Sequence, residues 1–248
     1  MTLRERLEKQ GNWLFKWRSY LPLLIFPVLL IALENSDYLK QNMGEFVDDI
    51  YETFCLAVSF SGLIIRCLVI GYIPEGTSGR NTKNQKAETL NTTGIYSIVR
   101  HPLYLGNFII FLGIILFPQV WWFILIAILA FWLYYERIIF AEEEFLLKKF
   151  GHMYLEWAKK TPAFFPNIKN WQQPNLPFSF KNVLKREYSA FFGIIASLTF
   201  LEVAGDLFVE GKLDFDLPWE ILFAIGLMTY LTLRTLKKKT ELLNVVGR

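Results

Sequence analysis

Six apolar runs constrain this chain most: Tyr20–Leu33, Thr53–Ile73, Pro102–Phe117, Gln119–Tyr135, Tyr188–Val209 and Leu217–Leu233. Backbone inside hydrocarbon must satisfy its own hydrogen bonds, and for unbroken apolar runs that means helices. Several runs fall short of the roughly 20 residues that cross a bilayer. The first is expected to recruit part of Trp13–Ser19, and the fourth to run on towards Glu142. Pro118 between the third and fourth marks a tight hairpin. With 53% hydrophobic residues in 248, the fold class is an all-α, polytopic membrane helical bundle of about six transmembrane helices.

The basic residues orient that bundle. Of 26 Lys and Arg, 23 fall before the first run, between the second and third, between the fourth and fifth, or after the sixth. Lys40 and Lys212 lie on the other side, with Arg66 inside the second run. By the positive-inside rule both termini are cytoplasmic. Arg66 requires an internal partner, and the sequence names none. Glu202 and Asp206 sit near the acidic, outer end of the fifth run. Cys55 and Cys67, twelve residues apart in one helical run, are separated by roughly 18 Å, too far for a disulfide. With two histidines and no paired-cysteine motif, no structural metal site is expected.

After the fourth run, Leu146, Phe150, Met153 and Trp157 recur at helical spacing among lysines, as in a cytoplasmic amphipathic helix at the membrane surface. Pro162 and Pro166 end it. Asn167–Asn182 is a polar linker. The chain divides on this pattern into 1–93, with two runs and a basic cytoplasmic loop; 94–166, which holds the motifs below; and 167–248, a linker and a C-terminal helix pair.

Chemistry concentrates on the cytoplasmic side. Arg100 and His101 precede Pro102 where the third run begins, and a helix N-terminus suits anionic groups. Glu142, Glu143 and Glu144 follow the fourth run, so an antiparallel hairpin brings both groups to one face, with Arg100 expected to meet Glu142. Taken singly, Arg100 also reads as a positive-inside anchor and the glutamates as a solvated helix face. Gly76-Thr77-Ser78-Gly79 lacks the strand–glycine–helix context of a dinucleotide site, and no P-loop is present. Gly106 and Gly113 share a helix face that admits close approach of another helix.

The combined pattern is more specific. Gly94-x-Tyr96-x-x-x-Arg100-His101-Pro102-x-Tyr104-x-Gly106, then Glu142-Glu143, then Phe150-Gly151-x-x-Tyr154, Pro162 and Pro166 resembles the membrane-embedded methyltransferases typified by isoprenylcysteine carboxyl methyltransferase and the phospholipid N-methyltransferases. The resemblance covers about 94–166 and implies S-adenosyl-L-methionine bound on the cytoplasmic side. It implies that His101, Tyr104, Glu143 and Tyr96 contact the cofactor and that Arg100 and Glu142 face the reacting group. Trp157 stands where many relatives carry a second tyrosine, and two further runs follow the motif. Within the broad family the chain looks most like bacterial enzymes that methylate the phosphate of lipid A, on the basic run Thr77-Ser78-Gly79-Arg80-Asn81-Thr82-Lys83 and on Leu90-Asn91-Thr92-Thr93-Gly94. That places Arg80 and Lys83 as acceptor contacts. The expected partners are a lipid substrate and the membrane, here a bacterial inner membrane, with no nucleic acid; oligomeric state has no sequence signal. Alternative readings are a nicotinamide-dependent reductase of the steroid or sterol type, a non-enzymatic transporter or assembly factor, or methylation of a prenylcysteine carboxylate or a phospholipid amine. Paired carboxylates favour the methyltransferase over a polyanionic nicotinamide cofactor.

Overall fold

Every one of the six apolar runs is built around a helix in the computed structural model, which describes residues 1–18, 20–34, 36, 38–74, 76–77, 85, 87–209, 211–212 and 216–248. The elements in order are α1 (Leu3–Trp17), a 3-10 turn (Leu21–Ile25) leading into α2 (Phe26–Leu33), α3 (Tyr38–Met43), α4 (Glu45–Tyr72), α5 (Pro102–Leu116), α6 (Trp121–Phe150), α7 (His152–Lys160), α8 (Phe180–Val209) and α9 (Leu217–Lys239). Among the described residues no strand pairs into a sheet; one isolated bridge joins Gly94 to Gln172.

By length and composition α4, α6, α8 and α9 each suffice to cross a membrane, and a fifth span follows if α1 and Leu21–Leu33 count as one bent unit. The sixth expected span is α5. Its 15 residues cover about 22 Å, short of the roughly 30 Å of hydrocarbon. Trp13–Trp17 joins the first span only as part of such a bent unit, because α1 meets Leu21–Leu33 at 89°. Helix α1 lies along the far end of α6. Arg4 forks onto Glu144 at 2.6 and 3.0 Å, Lys148 reaches Glu8 at 2.5 Å, and Arg137 reaches Gln10 at 3.3 Å. Gly11 makes the approach possible, since a Cβ there would fall 2.7 Å from the Ala141 Cβ.

The closest helix pair is α4 with α5, and glycine is the reason. A Cβ on Gly62 would lie 2.6 Å from the Gly106 carbonyl oxygen, and Gly113 faces Ser59 and Cys55 in the same seam. The expected hairpin follows α5. Gln119 takes a left-handed φ of 62°, and its side chain accepts from the Leu39 N–H at 2.7 Å and donates to Asp48 at 2.5 Å. Tyr51 donates to the Leu116 carbonyl at 2.9 Å, so the end of α5 keeps its hydrogen bonds. One core cluster draws on Leu33, Cys55, Phe117, Ile194, Leu198 and Trp219, so packing runs from α2 through α9.

Two boundaries differ from the sequence reading in ways that matter. With 30 residues, α6 is about 45 Å long and overhangs the hydrocarbon by about 15 Å. Leu146 and Phe150 therefore belong to this overhang, and the expected amphipathic helix is two pieces. Gly151, at φ 53°, ends α6 and turns the chain into α7 with Met153 and Trp157. Helix α8 begins at Phe180, eight residues before the apolar run, and so carries Lys181, Lys185, Arg186 and Glu187 on its first turns.

Candidate active site

The cavity of about 340 Å³ lies over the N-terminal end of α5. The segment before that helix is held by backbone. The Arg100 N–H donates to the Pro162 carbonyl at 2.9 Å and the His101 N–H to Ala163 at 3.3 Å. Asn167 N–H donates to Ile98 O at 2.9 Å, Gly94 N–H to Gln172 O at 3.0 Å, and the Trp157 indole to Tyr96 O at 3.1 Å. The stretch after α7 thus supports the Arg-His-Pro turn as well as ending the helix. Arg100 and His101 project where the overhang of α6 passes.

His101 is buried and caught between two carboxylates. Its Nε2 is 2.9 Å from Glu143 and its Nδ1 3.6 Å from Glu142. Burial alone would push the imidazole pKa down, but hydrogen bonding and charge from Glu142 and Glu143 outweigh it and hold the pKa above its ordinary value. Tyr104, one turn on, stacks on His101 with ring centroids 5.7 Å apart. Arg100 pairs with Glu143 at 3.4 Å. The expected Arg100–Glu142 meeting is not made, because His101 occupies that position. The third glutamate leaves the site: three successive helical residues spread over about 200°, which turns Glu144 to Arg4 on α1.

Below this group lies a second one that the sequence showed only as a puzzle. Arg66 on α4 forks onto Glu187 on α8 at 2.8 and 2.9 Å and also donates to Asn107 on α5. Asn107 donates in turn to the Tyr135 hydroxyl at 3.2 Å, and Tyr135 packs on Tyr104 at 5.0 Å. Arg66 and Glu187 therefore connect to His101 through side chains from α5 and α6. Arg18 and Phe15 from the N-terminal stretch, and Arg186 from α8, line the same cavity. None of these was singled out from sequence. A cation at the end of a span is the rule, so position alone does not mark Arg18 or Arg186.

Tyr96, Arg100, His101, Tyr104 and Glu142 all line the cavity, with Trp157, Thr77, Leu90 and Asn91. Glu143 backs it through His101 and Arg100. Arg80 and Lys83 lie outside the described residues. No group of three or more His, Cys, Asp or Glu among the described residues is placed to hold a metal ion.

Among the lining residues, Arg100 Nε and Gln85 Nε2 are buried without a hydrogen-bond partner, and Glu142 Oε2 has only the 3.6 Å contact with His101 Nδ1. Such groups are costly unless a ligand satisfies them. One acceptor and two donors in a pocket with Tyr96, Tyr104 and Trp157 suit a zwitterionic, aromatic-bearing ligand such as S-adenosylmethionine. Its ammonium and hydroxyls match the carboxylate, its carboxylate matches the guanidinium, and its purine matches the rings.

Residues 56–153 match the phospholipid methyltransferase family. A protein-S-isoprenylcysteine O-methyltransferase of Schizosaccharomyces pombe is 32% identical over 126 residues, 50% of this chain and 52% of that protein. One from Xenopus laevis is 33% identical over 122 residues, 46% of this chain and 40% of that protein. A cobalt-zinc-cadmium resistance protein of Cupriavidus metallidurans is 39% identical over 84 residues, 34% of this chain and 38% of that protein. The chain thus spans about half, or less, of the length of these curated relatives. No solved structure matches.

Proposed function

We propose, for a chain whose residues 56–153 match the phospholipid methyltransferase family, that it transfers a methyl group from S-adenosylmethionine to the anionic headgroup of a membrane lipid, the phosphate of lipid A being the leading candidate. The site faces the cytoplasm from a bacterial inner membrane in this reading.

One observation carries the choice of an anionic acceptor. Arg18, Arg66, Arg100 and Arg186 and a histidine whose pKa is raised all line one cavity, together with Glu142 and Glu187, and Glu143 pairs with Arg100 and His101 behind it. An amine acceptor must lose a proton before it attacks, and that calls for a free carboxylate base. A phosphate or carboxylate oxygen needs only orientation and charge balance.

Tyr96, Tyr104, His101 and Glu143 hold the cofactor in this reading, and Glu142 and Arg100 face the reacting centre. When bound, S-adenosylmethionine supplies an electrophilic methyl on a sulfonium, and transfer leaves a neutral thioether. The chain's residues contribute position and exclusion of water, which suffice for an in-line displacement. His101 clamps Glu143 and Glu142 on α6 against the turn before α5. Arg100, which lines the pocket, orients the acceptor oxygen. Arg80 and Lys83 are proposed from the sequence alone as further acceptor contacts.

Mass spectrometry of total lipids from cells with and without the protein tests this. A 14-dalton increment on a phosphate-bearing lipid A species supports the reading. The same increment on an amine headgroup contradicts the acceptor, and on a prenylated peptide carboxylate it names the other anionic class.

A further inference from the structure

The stretch that follows α7 supports the site with its backbone. The Pro162 and Ala163 carbonyls accept the Arg100 and His101 N–H groups at 2.9 and 3.3 Å, and the Asn167 N–H donates to the Ile98 carbonyl at 2.9 Å. Its large side chains lie outside the cavity wall. Phe164 packs between Phe108 of α5 and Trp132 of α6, with ring centroids 5.7 Å apart in each case. Trp132 stands three residues before Tyr135, where the fourth apolar run ends, so this contact lies at the edge of the hydrocarbon. Next to it Phe165, Ile168 and Trp171 are 74, 77 and 49% exposed. An apolar cluster left open in this way marks a surface for lipid or for protein. Charge decides between them. Lys159, Lys160 and Lys169 are exposed in the same stretch, and the Asn170 amide ties the Ile168–Asn170 turn to the Lys160 carbonyl at 2.6 Å. No acidic residue occurs from Trp157 to Arg186. Apolar side chains at the hydrocarbon edge with lysines beside them match an anionic bilayer surface.

We propose that residues 162–171 dock onto an anionic leaflet of the membrane, and that this docking fixes the turn that carries Arg100 and His101. Phe165, Ile168 and Trp171 enter the boundary between headgroups and acyl chains, and the three lysines meet lipid phosphates. The backbone held there is the one whose carbonyls receive the Arg100 and His101 N–H groups. Bilayer charge thereby sets how firmly that turn is held. The dock goes beyond the methyltransferase reading and does not depend on it; only its effect on cofactor affinity rests on that reading.

The full chain in nanodiscs of dioleoyl phosphatidylcholine, alone or with about one third dioleoyl phosphatidylglycerol, tests both halves of the proposal. In a background lacking Cys55 and Cys67, nitroxides on Phe165→Cys and Ile168→Cys should be reached by oxygen and shielded from an aqueous nickel complex in the anionic discs. The Arg100 and His101 amides, followed by hydrogen exchange, should exchange about 3- to 10-fold more slowly in anionic than in neutral discs, the scale of one lysine at a charged surface. Lys159→Gln, Lys160→Gln and Lys169→Gln together should abolish that difference and leave exchange in neutral discs unchanged. Nitroxides open to the nickel complex in both discs, as on a face that binds a protein, overturn the dock. Equal exchange of the wild-type chain in the two discs, or a difference that survives in the triple variant, overturns the coupling to lipid charge. S-adenosylmethionine affinity should rise with the anionic lipid in parallel. Failure to bind S-adenosylmethionine in either disc removes the methyltransferase reading, while accessibility and exchange still decide the dock.

Discussion

His101 joins the turn before α5 to α6, and its charge state sets how firmly. Its pKa is raised in the folded chain, so the stability it contributes is fully present below about pH 6.5, the unfolded value. That contribution is lost as pH rises through the raised folded value. Melting temperatures of wild type and His101→Gln, measured from pH 5.5 to 9, should therefore differ most at the acid end and converge upward. A gap that widens with pH would mean that the imidazole is neutral when folded. Arg100 calls for a kinetic test. Its guanidinium touches Glu143 at 3.4 Å and leaves Nε buried without a partner. Lysine keeps the charge and loses the planar fork. Arg100→Lys should hold S-adenosylmethionine affinity and slow transfer by about 30- to 1000-fold, equivalent to about 2–4 kcal/mol. Full activity in that variant would assign the orienting role elsewhere.

Helix α1 contributes at the level of elements. It reaches the site only through its seat on α6, where Gly11 lies against Arg137 and Ala141. Gly11→Leu should displace α1, remove Phe15 and Arg18 from the cavity wall and weaken cofactor binding several-fold. The melting temperature should change little, because Arg4 and Lys148, the cations that tie α1 to α6, are each 61% exposed, which keeps such pairs near about 1 kcal/mol. Gly62→Leu in the α4–α5 seam is the contrasting case. Overpacking there should cost about 1–3 kcal/mol of stability, read as a lower thermal midpoint in detergent. The apolar runs located α2, α4, α5, α6, α8 and α9 but not where each one ends, and α1 and α3 lie outside them. Hydropathy stops where the hydrocarbon stops, whereas α6 and α8 continue into water on polar faces. Glu142 and Glu143 sit on one such continuation, and Arg186 and Glu187 on the other. The first pair was legible because a motif carried it. Glu187 was not, because a glutamate beside a lysine–arginine pair outside an apolar run reads as loop.

Across the whole molecule, two clusters of polar side chains mark opposite ends of the bundle. Lys40–Asp206, Asp48–Gln119 and Trp219–Glu52 gather at one end, and Arg66–Glu187 and His101–Glu143 towards the other. The basic-residue bias predicts that both termini lie on the cytoplasmic side. In a background lacking Cys55 and Cys67, cysteines placed at the exposed Glu34 and Lys212 should react with an impermeant maleimide only from the outer side. Reaction from the cytoplasmic side would invert the bundle. Arg66 was legible as an anomaly before any partner was known, since a lone cation in an apolar run demands one. Its partner, 121 residues away on α8, was not, because pairing across helices depends on packing that no local pattern encodes.

The cavity between Arg100, His101 and Glu142 is expected to take S-adenosylmethionine. Isothermal titration of the purified protein in detergent, with S-adenosylmethionine and NADPH in parallel, tests it most directly. Saturable one-site binding of S-adenosylmethionine, weakened by His101→Ala and by Glu143→Ala, with no heat from NADPH, is the predicted result. Saturable NADPH binding with no response to S-adenosylmethionine would contradict the account.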